Sequence, residues 1–195
     1  MLMNIENEDG IDIRNGCHHI VISDIQGETG DDVIALTAIV PDKENYRPGG
    51  SLCYTHVMHN DWSRRERDIH DIIIRNVTAF SYLCYLLRLL PANTRIYNVV
   101  IDGLIDSRPA GHPNGGTMVL GDSGVYGANL PESMMGITIS NVICNSSKAI
   151  KLAGYLKDSI ISNVVNRKPN VPILQVLREN GMVNVATSNF VNAVK

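Results

Sequence analysis

The segment Gly136-Ile137-Thr138-Ile139-Ser140-Asn141-Val142 contains the pattern that decides the fold, a short run of alternating β-branched residues that ends at a small polar residue. β-Branched side chains favour strands, and Asn, Asp and Gly favour sharp turns. The same pattern occurs in four other stretches, which are His19–Ile25, Asp71–Val77, Asn98–Leu104 and Ser159–Val164. Five copies indicate a repetitive β architecture.

The spacing of these copies predicts how the strands are arranged. Their turn residues are separated by 52, 27, 38 and 22 residues, and these residues are Asp24, Asn76, Gly103, Asn141 and Asn163. A second aliphatic segment follows each copy, at 33–36, 85–87, 117–120, 149–152 and 173–177. A basic turn of about 22 residues, lengthened by insertions, predicts an all-β parallel β-helix of about six coils. Its turn residues should form a ladder in which Asn side chains bind main-chain groups of the next coil; five unrelated turns are the alternative.

Composition and charge limit the possible classes of protein. The chain has 195 residues, of which 44% are hydrophobic and 19% charged, so we predict a single domain over residues 1–195 with loop insertions at about 37–69 and 107–115. No apolar run is long enough to span a membrane, which predicts no membrane partner. The net charge of −3 argues against a nucleic-acid partner. The four cysteines lack metal-ligand spacing, and we expect them to be mainly buried apolar side chains.

The first residues contain neither a basic region nor an apolar signal core. Localisation therefore stays open: we expect either a cytoplasmic protein or a secreted or periplasmic one whose leader is missing from these residues.

Three aspartates stand at positions that the repeat should bring together. Asp9 precedes the pair Asp31-Asp32 by 22 residues, which is one coil, and stacked strands lie about 4.8 Å apart. Like charges this close cannot all ionise at their ordinary pKa, so at least one pKa should be raised. A carboxylic acid beside a carboxylate is what glycoside hydrolysis requires. Calcium binding and simple turn acids are the alternatives.

These residues also carry a resemblance to a known family. Asn7-Glu8-Asp9-Gly10-Ile11-Asp12 and Gly30-Asp31-Asp32-Val33-Ile34-Ala35-Leu36 resemble the NTDGID and GDDCIAI motifs of the polygalacturonases of glycoside hydrolase family 28. The resemblance implies a right-handed, pectin-lyase-like parallel β-helix that hydrolyses an acidic glycan with inversion. It implies that Asp9, Asp31 and Asp32 are catalytic, that Asp31 or Asp32 helps to activate water, and that the general acid belongs to the same trio.

Later motifs of that family are absent or altered. Leu83 stands at about the position of the family's histidine, and the Arg-Ile-Lys motif has only a loose counterpart that ends at Lys151, one coil too late. We expect substrate to be bound by residues of the first motif, of the long loop and of this counterpart, namely Asn7, His56, His59, Trp62, Arg64 and Lys151. For the loop residues the alternative is a solvated charged loop that Trp62 anchors.

The sequence therefore predicts a glycoside hydrolase of polygalacturonase type that acts on a polysaccharide, without a cofactor or a bound metal. A non-catalytic β-helix module for carbohydrate binding or assembly is one alternative. A polysaccharide lyase is another, and it would require calcium and an Arg or Lys base. Because an uncovered first coil would expose strand edges and apolar interior, we also expect a homo-oligomer that covers this coil.

Overall fold

The protein is all-β in its computed structural model, which describes residues 8–39, 65–122, 124 and 126–193. Twelve strands form two six-stranded sheets in which all neighbours are parallel, and these residues contain no α-helix, only a short 3-10 turn at Arg65–Arg67. The strands are β1 (Ile11–Arg14), β2 (His18–Thr29), β3 (Ile34–Ile39), β4 (Ile69–Ser81), β5 (Tyr85–Ala92), β6 (Ile96–Asp106), β7 (Gly116–Leu120), β8 (Met134–Cys144), β9 (Ile150–Leu152), β10 (Leu156–Asn166), β11 (Leu174–Val176) and β12 (Met182–Asn192).

The chain adds one strand to each sheet in turn. The odd sheet has the order β1-β3-β5-β7-β9-β11, and the even sheet has the order β2-β4-β6-β8-β10-β12. We call one odd strand and the following even strand a coil. This alternation is compatible with a β-helix or another solenoid, since each coil buries its apolar side chains against the coils beside it.

The register of the even sheet reproduces the separations between the sequence repeats. Ile20 pairs with Ile72, Ile72 with Val99 and Val99 with Ile137, which are offsets of 52, 27 and 38 residues, and Thr138 pairs with Ile160 at an offset of 22. The five copies lie in β2, β4, β6, β8 and β10, and the second segments coincide with β3, β5, β7, β9 and β11. Strand β12 is a sixth copy that the sequence pattern did not reveal.

Each even strand bends twice, at two positive-φ residues five positions apart. The first bend column consists of His19, Asp71, Asn98, Gly136, Asp158 and Asn184. The second bend column consists of Asp24, Asn76, Gly103, Asn141, Asn163 and Asn189. Asn, Asp and Gly tolerate the left-handed conformation, which explains their concentration here. Only the second column was predicted.

Hydrogen bonds connect the second bend column along the stack. Asn163 Nδ2 donates to Asn141 Oδ1 over 3.2 Å, and Asn189 Nδ2 donates to Asn163 Oδ1 over 2.8 Å. The ladder exists as predicted, but these bonds join side chain to side chain rather than side chain to main chain. The reason is that equivalent bends repeat at the strand spacing, so each amide lies within reach of the next one.

The core lies between the two sheets and is aliphatic. In β4, Ile72 and Ile74 are fully buried while Ile73 is 40% exposed, because successive side chains of a strand point to opposite faces. The partly buried Ile11, Ile13, Ile20 and Ile25 pack against this core at one end of the stack.

The predicted insertion at 107–115 lies between β6 and β7. It is held by the fully buried Arg108, which donates to the carbonyl oxygens of Asn114 and Gly116. Of the predicted insertion at 37–69, residues 37–39 belong to β3 and Ile69 begins β4, whereas 40–64 lie outside the described residues. Among the described residues, we find no helix with the length and apolar character needed to cross a bilayer.

Candidate functional site

The acid cluster, which we define as Asp9, Asp31 and Asp32, forms where the chain enters the odd sheet. The Asp31 N–H donates to the Glu8 carbonyl over 3.2 Å, and the Gly10 N–H donates to the Asp32 carbonyl over 2.9 Å. These bonds place Asp9 one coil away from Asp31 and Asp32. The three carboxyl groups therefore share one region of the surface, as the 22-residue separation predicts.

The next coil adds Leu83 and Cys84 to this region. The Leu83 N–H donates to the Gly30 carbonyl over 3.1 Å, which places Leu83 opposite Asp31. The pairing offset is 52 residues before this point and 53 after it, so Cys84 is one additional residue at the level of the acids. Leu83 is exposed and apolar, so this position adds no group to the region that could bind or transfer a proton.

Asp32 is the most buried of the three acids, with 4% of its surface exposed. Its Oδ1 accepts a hydrogen bond from the Tyr85 N–H over 2.9 Å, and its Oδ2 lies 2.5 Å from Arg88 Nε. Burial raises the pKa of Asp32 to about 7, although the Arg88 charge and the Tyr85 N–H both favour ionisation. Asp32 therefore titrates near neutral pH.

Asp9 and Asp31 are both partly exposed. Burial raises the pKa of Asp9, and the negative charge of Asp31 raises it further. The Asp31 Oδ1 accepts a hydrogen bond from the Asp32 N–H over 2.9 Å. Two carboxyl groups of the cluster are therefore accessible to solvent, whereas the third, that of Asp32, is buried.

Arg88 is a functional candidate that the sequence analysis missed. It belongs to a column of the odd sheet that lies outside the main core, although Ala35 and Val119 in it are buried. This column runs through Asp12, Ala35, Arg88, Val119 and Lys151. The sequence does contain a signal for Arg88: it is the single charged residue in the apolar run of β5, and it stands between two leucines of the core. That signal does not predict that Arg88 pairs with Asp32.

Two further charged residues, Asp12 and Lys151, belong to this column. Asp12 forms an ion pair with Arg14, but burial outweighs the arginine and raises the pKa of Asp12. Lys151, which we predicted to bind substrate, lies two strands beyond Arg88, or about 10 Å at the usual strand spacing. It lies in the same column as Arg88.

Tyr126 stands beside the same face. It packs against a small apolar cluster of Ile39, Leu90 and Ala92, which is separate from the main core. Burial raises the pKa of Tyr126, and Arg88 opposes this increase. The segment after β7 thus places an aromatic ring, that of Tyr126, near Arg88, which the sequence analysis did not predict.

Asp31, Asp32 and Cys84 each offer one ligand atom within 4.8 Å of the others, and Asp9 lies outside this group. The two carboxylates are of the type that calcium or magnesium binds. Burial raises the pKa of the Cys84 thiol to about 12, so this group is a weak ligand unless a metal displaces its proton. Cys17 and Cys84 are only partly buried, whereas Cys144 is buried as the sequence predicts.

The other predicted substrate-binding residues lie outside the part of the chain that the structure describes. They are Asn7, His56, His59, Trp62 and Arg64, and Cys53 lies outside it as well.

Comparisons with protein-family models, with curated proteins and with solved structures found no match to the chain.

Proposed function

We propose that this chain is a right-handed parallel β-helix that hydrolyses an acidic polysaccharide with inversion. The observation that carries the proposal is the acid cluster, in which carboxyl groups from successive coils share one surface and the pKa values of two of them are raised. A carboxyl group that holds its proton beside one that is ionised can serve as the acid and the base of glycoside hydrolysis.

We base the proposed roles within the cluster on the accessibility of its members. Asp9 acts as the general acid, since its raised pKa keeps it protonated to higher pH and it is partly exposed. Asp31 acts as the base that activates water. Asp32 is a positioning residue, because it is buried and engaged by Arg88 and the Tyr85 N–H. Inverting enzymes separate the acid and the base by about 6.5–9.5 Å, which favours a pair that includes Asp9 over the closely spaced Asp31 and Asp32.

The experiment is release of reducing sugar from polygalacturonate, alginate and hyaluronan by the unaltered protein and by Asp9→Asn and Asp31→Asn. Each substitution should reduce the rate by about 10²–10⁴-fold, which is the usual contribution of a general acid or base. Asp24→Asn is the matched control, because Asp24 is an exposed member of the second bend column and its substitution should leave the rate unchanged.

The proposal is wrong if no substrate in this panel is cleaved, or if Asp31→Asn retains the full rate. An unsaturated product that absorbs ultraviolet light, formed only with calcium, would instead identify a polysaccharide lyase.

A non-catalytic assembly module is the second candidate, and a specific surface favours it. Val21, Ile73, Val100 and Ile160 lie in one outward column of the even sheet, and Val21 is 57% exposed. Strands β1 and β2 also pair with no further strand on their outer side among the described residues. Both features suit a homo-oligomer. Concentration-dependent sedimentation without turnover would support this candidate over the hydrolase.

A further inference from the structure

Three rings form a cluster next to the acid cluster. The Tyr82 ring lies 4.8 Å from the Phe80 ring and 5.5 Å from the His112 ring, measured between centroids. Phe80 is buried, whereas Tyr82 and His112 are partly exposed. The cluster therefore has a buried base and an accessible surface.

The backbone fixes the position of this cluster relative to the acids. The Tyr82 N–H donates to the Thr29 carbonyl over 3.0 Å, so Tyr82 stacks on Gly30, the residue directly before Asp31. His112 belongs to the segment between β6 and β7, which the buried Arg108 holds in place. Tyr82 thus lies one coil from Asp31, and His112 joins it from the following coil.

A carboxylate also borders the ring cluster. The Tyr82 hydroxyl donates to Glu28 Oε2 over 2.7 Å, and Glu28 is exposed. This bond orients the tyrosine ring, and it also places a negative charge where a neighbouring sugar would lie. A sugar that carries its own carboxylate would be repelled here, whereas an uncharged sugar could donate a hydroxyl hydrogen bond to Glu28.

We propose that Tyr82, supported by Phe80 and His112, is a stacking platform for the sugar next to the scissile bond, and that Glu28 makes this subsite selective for an uncharged pyranose. The inference rests on the proposed glycan-hydrolysing function and narrows its substrate to acidic glycans with an uncharged unit at this position. Aromatic rings with a few placed polar groups are the usual lining of such sites.

The test measures by calorimetry the affinity of two probes for the Asp31→Asn protein, a substitution that prevents turnover. The two probes have the same sugar backbone. The probes are an oligogalacturonide as the free acid and the same oligomer as its methyl ester. At low ionic strength the ester should bind about three-fold more tightly, the scale of one exposed charge interaction. Adding Glu28→Gln should bring this ratio close to one, since the amide keeps an acceptor for Tyr82 but loses the charge.

Ring variants separate stacking from hydrogen bonding. Tyr82→Ala should weaken the binding of both probes about ten-fold, whereas Tyr82→Phe should retain it. Tyr97→Ala is the matched control, because Tyr97 stacks on His70 in the even sheet, away from the acid cluster. The Tyr97→Ala protein should bind both probes with unchanged affinity.

The inference is overturned by equal affinity in Tyr82→Ala or by an ester preference that persists in Glu28→Gln. If the unaltered protein releases reducing sugar and either result is found, only the subsite is wrong. If the expected binding pattern is found but the unaltered protein cleaves nothing, the hydrolase proposal fails and the binding site stands. Absence of binding to both probes overturns the inference outright.

Discussion

The second bend column and the acid cluster are both polar regions at turns of the same stack, yet they differ in repetition, charge and burial. In its last three members, Asn141, Asn163 and Asn189, the bend column repeats one amide from coil to coil, stays exposed and is connected by neutral hydrogen bonds. The acid cluster has no counterpart in the later coils, brings charges together and is partly buried. A repeated polar residue therefore stabilises the stack, whereas a departure from the repeat marks the candidate site.

The largest expected difference between these regions is in the pH dependence of stability. The pKa of Asp32 in the folded protein is about 7, above its ordinary value of 3.8, so the folded state holds a proton that the unfolded state has lost. Its contribution to stability is therefore fully present below about pH 4 and is lost as the pH rises through about 7. Urea unfolding should show a decrease of about 4 kcal/mol across this range, which Asp32→Asn removes. Asp24→Asn should retain the decrease, and the same slope in Asp32→Asn would contradict the assignment.

Removing Arg88, the cation that pairs with Asp32, should have the next largest effect on stability. Arg88→Met leaves Asp32 buried without its ion-pair partner, so we expect a loss of about 3 kcal/mol in the free energy of unfolding near pH 8. Near pH 4 the loss should largely disappear, because Asp32 is then protonated in both proteins. Lys151→Met is the matched control in the same column and should change stability little. A similar loss at both pH values would show that Arg88 acts through packing rather than charge.

The smallest effect is expected in the bend column. Asn163→Ala removes two exposed side-chain hydrogen bonds and puts alanine at a φ of 54°, for a loss of about 2 kcal/mol. Asn163→Gly removes the same bonds without the backbone cost, and should lose about half as much. Chemical denaturation of both variants measures the difference. Equal losses would mean that the left-handed conformation at this bend costs alanine nothing.

The same comparison explains how much the sequence could predict. Asp24, Asn76, Gly103, Asn141 and Asn163 were found because similar residues recur after similar strands. The first bend column gives a weaker signal than the second, because it includes His19 and only two asparagines, Asn98 and Asn184, whereas the second has four. Strand β12 was missed because it has Ala186 and Thr187 at the positions where β10 has Ile160 and Ile161.

The site was predictable only where it follows the repeat. The separation of Asp9 from Asp31 equals the basic period, so their proximity could be inferred. The pairing of Arg88 with Asp32 depends on Cys84, the single extra residue that shifts the register between these coils. Tyr126 reaches the site from a segment without regular structure, for which no pattern predicts a position.

What the amino-acid sequence determined by itself is the succession of strands and bends, since β-branching and tolerance of the left-handed conformation are properties of single residues. Only the tertiary structure decided which acid is buried, which cation faces it and which ring stands beside it. Those outcomes depend on the register between coils and on desolvation, which are set by neighbours that lie far away along the chain.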